Sequence, residues 1–376
     1  MKVISLFSNI GISETFLEEI DFKVVLASEI CKRRMQLYSD FYPKTDCKLG
    51  DFSDQHFFKK LVDESIKIQP DIILATPPCQ GMSTAGQQVQ FDPRNDLNVN
   101  LINYLKVINP KYIFIENVPL FLKTKILYKE CPILIKDLLN FELKKKYHIE
   151  YKILNTKNYS VPQSRSRVIF LLTRKDIEKR WTFPKQDMKI ITLNDAIGNL
   201  PKLDPWIKDV TETEQKYIFP QFYKRKIQAS KISKWHKPPH HLKRQVLVMM
   251  KTPSGKSAFS NQIHKPIKEN GETVKGYGNT YKRQDWNLPA FTITMDNVKI
   301  SSQNNVHPGR FLEKNKIGED VYSDARVLTF YELMKLTTLP DEWSVPTGSS
   351  EAFIRRVIGE GIPPLLVKKI FNSLNQ

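Results

Sequence analysis

The sequence predicts an α/β fold, a doubly wound and mostly parallel sheet with a smaller basic domain inserted, and three observations predict it. Apolar runs of strand length recur at Val3 to Phe7, Val24 to Ala27, Ile72 to Ala75 and Tyr112 to Ile115, with helix-length segments between them; this is the rhythm of βαβ units. The run from Ile72 stops at Pro77-Pro78-Cys79. Two prolines fix φ and offer no N–H, so the strand ends there and hands a thiol to a loop at the sheet edge. Near Arg174 the composition shifts, and from Trp181 to about Pro346 periodicity weakens while Pro, Lys and aromatic residues accumulate.

With 376 residues the chain can bury one large core and a second, smaller one. Helical patterning returns from Ser349 to Leu374 around Gly359-Glu-Gly-Ile-Pro-Pro364. The expected division is therefore residues 1–173 plus 347–376 for the sheet-based domain and 174–346 for the insertion. The formal charge, +18 from 58 Lys and Arg against 40 Asp and Glu, is unevenly spread. Residues 1–100 hold 11 basic and 14 acidic residues, whereas 222–314 hold 18 and 5. A local excess of +13 suits a polyanion, nucleic acid first, although a basic stretch also serves as a solvated face. Cys31, Cys47, Cys79 and Cys131 form no C-x-x-C pair, and Met1-Lys2 leads straight into an apolar run. A reduced, cytoplasmic setting is expected. No apolar run nears the roughly 18 residues of a membrane span, and no metal is expected.

Taken in order, the strand ends carry the candidate chemistry. The first feeds Ser5-Leu-Phe-Ser-Asn-Ile-Gly-Ile-Ser-Glu14, a tight turn where an α/β fold offers backbone N–H groups to a nucleotide-like ligand. The three-glycine dinucleotide fingerprint is missing, which argues against a dinucleotide. The second ends at Glu29, placed to take both hydroxyls of a ribose, and Asp51-Phe52 follows the third, placed for hydrogen bonding and stacking with an adenine. Each carboxylate also reads as an exposed turn residue. The strand Lys111 to Asn117 carries Glu116 at its mouth, where desolvation raises a carboxyl pKa and suits proton donation. Val168 to Leu172, preceded by Tyr147 to Leu154, adds a late strand, and just before it Arg165 and Arg167 alternate so as to project to one side. Cys79 alone reads as readily as a buried free cysteine.

Together these stretches resemble the DNA (cytosine-5)-methyltransferase family over most of the chain. The resemblance is carried by Ser5 to Glu14, Glu29, Asp51, Thr76 to Ser83, Asp92 to Leu97, Glu116-Asn-Val118, Gln163-Ser-Arg-Ser-Arg167, Ala325 to Leu328 and Gly359 to Pro364. It implies a Rossmann-like S-adenosylmethionine-dependent methyltransferase domain with an inserted target-recognition domain. It further implies catalysis by Cys79, Glu116, Arg165 and Arg167. Cys79 adds to C6 of a cytosine rotated out of duplex DNA, Glu116 assists at N3, and the arginines support the O2 edge and a phosphate. The C5 proton leaves to a side chain or to water. Phe7, Ser8, Asn9, Ile10, Gly11, Glu29, Ile30, Asp51, Phe52, Pro77 and Glu360 are expected at the cofactor. Gln80, Ser83, Arg94, Gln163, Arg244, Tyr281 and Arg283 are expected at DNA, with Trp235, His236, His240, His241 and Tyr277 as further candidates. The loop Gln80 to Leu97, with Gly81 and Gly86 as hinges, would close on the flipped base.

Two motifs depart from the family pattern. Ser5 stands where the first motif has Asp, with Asn9 and Ile12 in place of its glycines, and Glu360 stands for an Asn. Both put cofactor affinity, more than fold, in question. The resemblance leaves a cognate restriction endonuclease open as a companion, and a monomer is expected. An RNA cytosine-5 methyltransferase of the same fold, a non-catalytic DNA-binding relative and a thiol enzyme on a small substrate are the competing readings. Against them stand, in turn, the length between Arg174 and Asp324, the intact catalytic residues, and the basic insertion.

Overall fold

The structure, a computed structural model, describes residues 1–78, 96–343, 345 and 349–375. Contacts divide it into two compact units, one of Met1–Tyr159, Ser166–Asp187 and Ile362–Gln376, the other of Ser160–Arg165 and Met188–Gly361.

The first unit is built on a seven-stranded sheet of β1 (Lys2–Leu6), β2 (Lys23–Glu29), β3 (Asp46–Leu49), β4 (Ile72–Ala75), β5 (Tyr112–Asn117), β6 (Tyr147–Asn155) and β7 (Ser166–Arg174). Their spatial order is β3-β2-β1-β4-β5-β7-β6. β1 to β5 pair in parallel, and β7 runs antiparallel to both β5 and β6. The mostly parallel sheet is therefore present, with its order reversing between β1 and β4, where open α/β sheets bind ligands. Ile72, Ile73, Leu74 and Ala75 are fully buried, as a strand covered on both faces requires. The helices α1 (Lys32–Phe41), α2 (Gln55–Ile68), α3 (Leu97–Ile108) and α4 (Ile135–Leu143) accompany the strands. α2 starts sharply because the Asp54 carboxylate accepts from Phe57 N at 2.7 Å.

The C-terminal helix α5 (Pro364–Asn372) brings Phe371 against Phe22, Phe114 and Trp181, with ring centroids 5.2, 5.6 and 5.0 Å apart. The Trp181 indole donates to Ile370 O at 2.9 Å and is buried. That packing holds the stretch up to Asp187 with the sheet, although composition changes near Arg174. A hairpin of Lys125–Tyr128 and Cys131–Leu134 adds to the elements that the sequence predicts. Its turn residues Lys129 and Glu130 take φ of 50° and 65° without the Asn-Gly pair that usually signals such a turn.

In the second unit the described residues form only two-stranded pairs, Trp206–Ile207 with His240–His241 and Phe311–Lys314 with Asp320–Tyr322. Helices at Glu212–Ile218, Phe222–Ile232, Lys243–Met250, Phe330–Leu336 and Glu351–Glu360 pack around them. Few carbonyls find ladder partners here, and buried carbonyls need donors. Arginines supply them. Arg283 donates to the carbonyls of His307, Asp324, Met249 and Ser323 at 2.7 to 3.0 Å. Arg326 pairs with Asp324 at 2.7 Å and Glu332 at 2.8 Å and donates to Leu203 O. No helix among the described residues is long and apolar enough to cross a membrane. No group of three or more His, Cys, Asp or Glu among them could hold a metal ion.

Candidate active site

At the carboxyl edge of β1 the backbone turns through Phe7, Asn9 and Gly11 with φ of 59°, 53° and 83°. Asn tolerates that region and a bulky Phe does not, so Phe7 must be held. Thr76, just past β4, does so by donating its hydroxyl to Phe7 O at 3.0 Å. Gly11 is required twice over, by its φ and because a Cβ would lie 2.1 Å from the Tyr42 ring. The Tyr42 hydroxyl donates to Gly11 O at 2.5 Å. Beneath the turn Glu14 is 2% exposed and accepts from Ser5 Oγ at 2.5 Å and Ser13 Oγ at 2.6 Å. Burial pushes its carboxyl above the ordinary range, against the pull of those hydroxyls.

Glu29 closes β2 with its carboxylate facing the same turn: Oε2 accepts from Asn9 N at 3.0 Å and Oε1 from Cys31 N at 2.9 Å. Each oxygen keeps acceptor capacity for a ligand hydroxyl. Asp51, after β3, is exposed and held by Ser53 N and Oγ at 2.8 and 2.7 Å. Phe52 corrects one expectation. Its ring is 5% exposed in a cluster with Phe7, Phe58 and Tyr104, so it belongs to the core; Phe7, half-buried and edge-on to it at 5.0 Å, is the aromatic ring nearer the surface. Ser8 and Ile10 are buried, leaving backbone rather than side chain to meet a ligand there, and Ile30 is exposed. Pro77 is buried and its carbonyl accepts from Asn117 Nδ2 at 3.1 Å. A left-handed turn, a carboxylate behind it and a second at the next strand end make a donor and acceptor set that fits a nucleoside.

Because β7 runs antiparallel, its first residues meet the carboxyl end of β5. Arg167 Nε stands 2.8 Å from Glu116 Oε1, both side chains about one-tenth exposed. Its Nη1 donates to Ser166 O at 2.8 Å. Arg165 is a different case. It is 2% exposed, and its guanidinium donates to the carbonyls of Ile293, Gly359 and Glu360 at 2.9 to 3.0 Å within the second unit. Those bonds brace backbone. Glu360 is half-buried with its carboxylate 3.6 Å from Arg356 Nε. Cys79, Gln80, Ser83 and Arg94 lie outside the described residues, as does most of the stretch from Gln80 to Leu97.

Three of the expected DNA contacts are also corrected by burial. Gln163 and Arg283 are fully buried and Tyr281 is 5% exposed. Gln163 bonds backbone at Leu336 O and Ile293 N, and Tyr281 sits in an apolar cluster with Val246 and Met249. His236 and His241 are buried as well, while Arg244 and Trp235 are half-buried and His240 and Tyr277 are exposed. Residues with no earlier role join the exposed set. Lys234 and Lys237 lie over the Trp235 ring at 5.3 and 5.7 Å, and Trp206, with Lys226 over one face at 5.4 Å, stacks on His240. Lysines near Trp in a basic stretch were the available signal.

The profile of the C-5 cytosine-specific DNA methylase family matches residues 1–376. The type II methyltransferase M1.HgaI of Avibacterium volantium is 41% identical over 99% of this chain and 97% of its own length. The type II methyltransferase M1.HphI of Haemophilus parahaemolyticus is 26% identical over all of this chain and 86% of its own. Among solved structures, a DNA modification methyltransferase encoded within an Escherichia coli prophage superposes with a TM-score of 0.66 at 19% identity, covering both chains completely. DNMT2 of Spodoptera frugiperda does so at 0.58 and 18%, covering all of this chain and 99% of its own. At those identities the structures speak for the fold.

Proposed function

The chain belongs to the C-5 cytosine-specific DNA methylase family, and from that premise we propose that it methylates C5 of a flipped cytosine in a specific duplex DNA site, with S-adenosylmethionine as donor. The observation that carries the site reading is the Glu116–Arg167 pair at the carboxyl edge of β5. A carboxylate there is costly alone; with a guanidinium at 2.8 Å it is held in place for an incoming ring.

Cys79, two residues past buried Pro77, is the nucleophile. Its thiolate adds to C6, the C5–C6 π electrons shift so that C5 becomes nucleophilic, and Glu116 delivers a proton or hydrogen bond to N3, which avoids a full negative charge on the adduct. Arg167 fixes Glu116 and offers its remaining donors to the O2 edge. Loss of the C5 proton and expulsion of the thiolate then restore the ring. Glu29 takes the ribose hydroxyls, Asp51 the adenine amino group, and the Phe7–Gly11 turn the methionine part. S-adenosylmethionine, when bound there, supplies an electrophilic methyl group. The excess of 13 positive charges over 222–314 supports a target-recognition role for the second unit, with salt-sensitive phosphate contacts. Likeness to type II methyltransferases supports a restriction-modification setting with a companion endonuclease.

Duplex DNA carrying 5-fluorocytosine at the target tests this, because fluorine at C5 cannot leave as a proton and the adduct persists. Wild-type protein should form a denaturation-resistant complex and Cys79→Ser should not. Bisulfite sequencing of a plasmid modified in cells gives base and context. Turnover without trapping, full turnover by Cys79→Ser, or methyl transfer to tRNA but not to duplex DNA overturns the reading.

A further inference from the structure

One buried carboxylate in the first unit has no part in this chemistry. Glu14 is 2% exposed, and an anion so buried is costly unless donors compensate it. Its two hydroxyl donors come from opposite ends of the turn, Ser5 within β1 and Ser13 after Gly11, at 2.5 and 2.6 Å. The ring Ser5–Glu14–Ser13 thus closes the segment that carries the three left-handed residues. Tyr42 extends the arrangement, since its hydroxyl bonds Gly11 O and its ring fills the space beside Gly11 Cα. A glutamine would fill the same volume but offers one acceptor oxygen where Glu14 uses two, so the two serine hydroxyls call for a carboxylate and not for volume alone. Hydrogen bonds to an ionised acceptor are shorter and stronger than neutral ones, and would hold a strained turn in one shape.

We propose that Glu14 is a positioning residue for the cofactor turn, tying its two ends together from beneath through Ser5 and Ser13. The inference rests on the reading that this turn receives S-adenosylmethionine.

Calorimetric titration of the full chain with S-adenosylmethionine, paired with a thermal midpoint, tests it. Glu14→Gln should bind about tenfold more weakly, the loss of a charge-assisted bond, with an unchanged or higher midpoint because a desolvated charge is gone. Ser5→Asp should also bind more weakly, since two carboxylates at hydrogen-bond distance cannot both ionise. Combining Ser5→Asp with Glu14→Ala should recover most of the affinity that Glu14→Ala alone loses. Wild-type affinity in Glu14→Gln while Glu29→Ala weakens binding overturns the inference and leaves the cofactor site standing. So does a fall of affinity and midpoint together with no recovery in the double variant. Unchanged affinity in Glu29→Ala as well would overturn the cofactor site itself.

Discussion

Arg165 and Arg167 stand two residues apart and are spent in opposite ways, and the two units differ as these two residues do. In the first unit a seven-stranded sheet satisfies the backbone, and Glu29, Glu116 and Arg167 stand at strand ends with their charges turned to side chains or to a turn. In the second, short pairs leave carbonyls to be met by side chains, and Arg165, Arg283, Arg326 and Arg355 are buried to meet them. A buried arginine is thus a fastener of backbone in the second unit, whereas a buried charge in the first, Glu14 apart, stands at a strand end. What separates the two is whether its partners are backbone groups already fixed or groups that a ligand can still reach.

The sharpest way to break the comparison is Arg326→Met. It strands Asp324 and Glu332 without their counter-charge, and should cost about 3–5 kcal/mol, read as a lower urea midpoint. Arg167→Met leaves only Glu116 without its guanidinium, so it should lower that midpoint less than Arg326→Met while depressing turnover, and the contrast fails if both variants destabilise alike. Next in size is Glu116→Gln, which should bind DNA almost normally and methylate about 100-fold more slowly if Glu116 is the general acid. Single-turnover rates measure it.

Acid sharpens the contrast from the other side. His307 Nδ1 accepts Gly309 N at 3.0 Å and His241 Nε2 accepts Val327 N at 3.2 Å, so each is held neutral. Burial pushes His307 down to about 4 and His241 down to about 3. Their folded pKa values lie below the unfolded one, so the stability they contribute is complete above about 6.5 and is lost as pH falls toward 4. At pH 5 one such histidine accounts for about 2 kcal/mol. Asp204 works the opposite way. Burial raises it to about 6 despite Arg225, so its protonation below that pH favours the fold and Asp204→Asn should steepen the acid loss. Urea midpoints between pH 7 and 5 for wild type, His307→Gln and Asp204→Asn decide it, a flat wild-type profile being the adverse result. The smallest effect expected is on the cofactor: Glu29→Ala should weaken S-adenosylmethionine binding about tenfold, near 1.4 kcal/mol.

Strands β4 and β5 were legible because a strand buried on both faces writes a continuous apolar run. β3 was barely so, since Asp46-Cys-Lys-Leu49 is an edge strand with little to bury. The hairpin around Lys129 and Glu130 has no sequence signal, because its left-handed residues are not the ones that favour that conformation. In the candidate site, residue types and order pointed to Glu29, Glu116 and Arg167, whose work depends on a strand end. Exposure was beyond reach. Nothing in Gln163, Tyr281, Arg283 or Arg165 tells from composition whether an arginine or tyrosine in a basic stretch faces solvent or closes a carbonyl, because that is settled by distant residues such as Met249 and Gly359.

The chain passes between its two units at 159/160, 165/166, 187/188 and 361/362. The six residues Ser160–Arg165 are therefore spliced into the second unit from the middle of the first, and there Ser164 N bonds Ala290 O at 2.7 Å while Arg165 holds Gly359 and Glu360. A graft that exchanged 188–361 alone between relatives would sever those bonds at the join. Inheritance of a new second unit is consequently a two-segment event, and hybrids that carry 160–165 along with 188–361 should fold where single-segment hybrids do not.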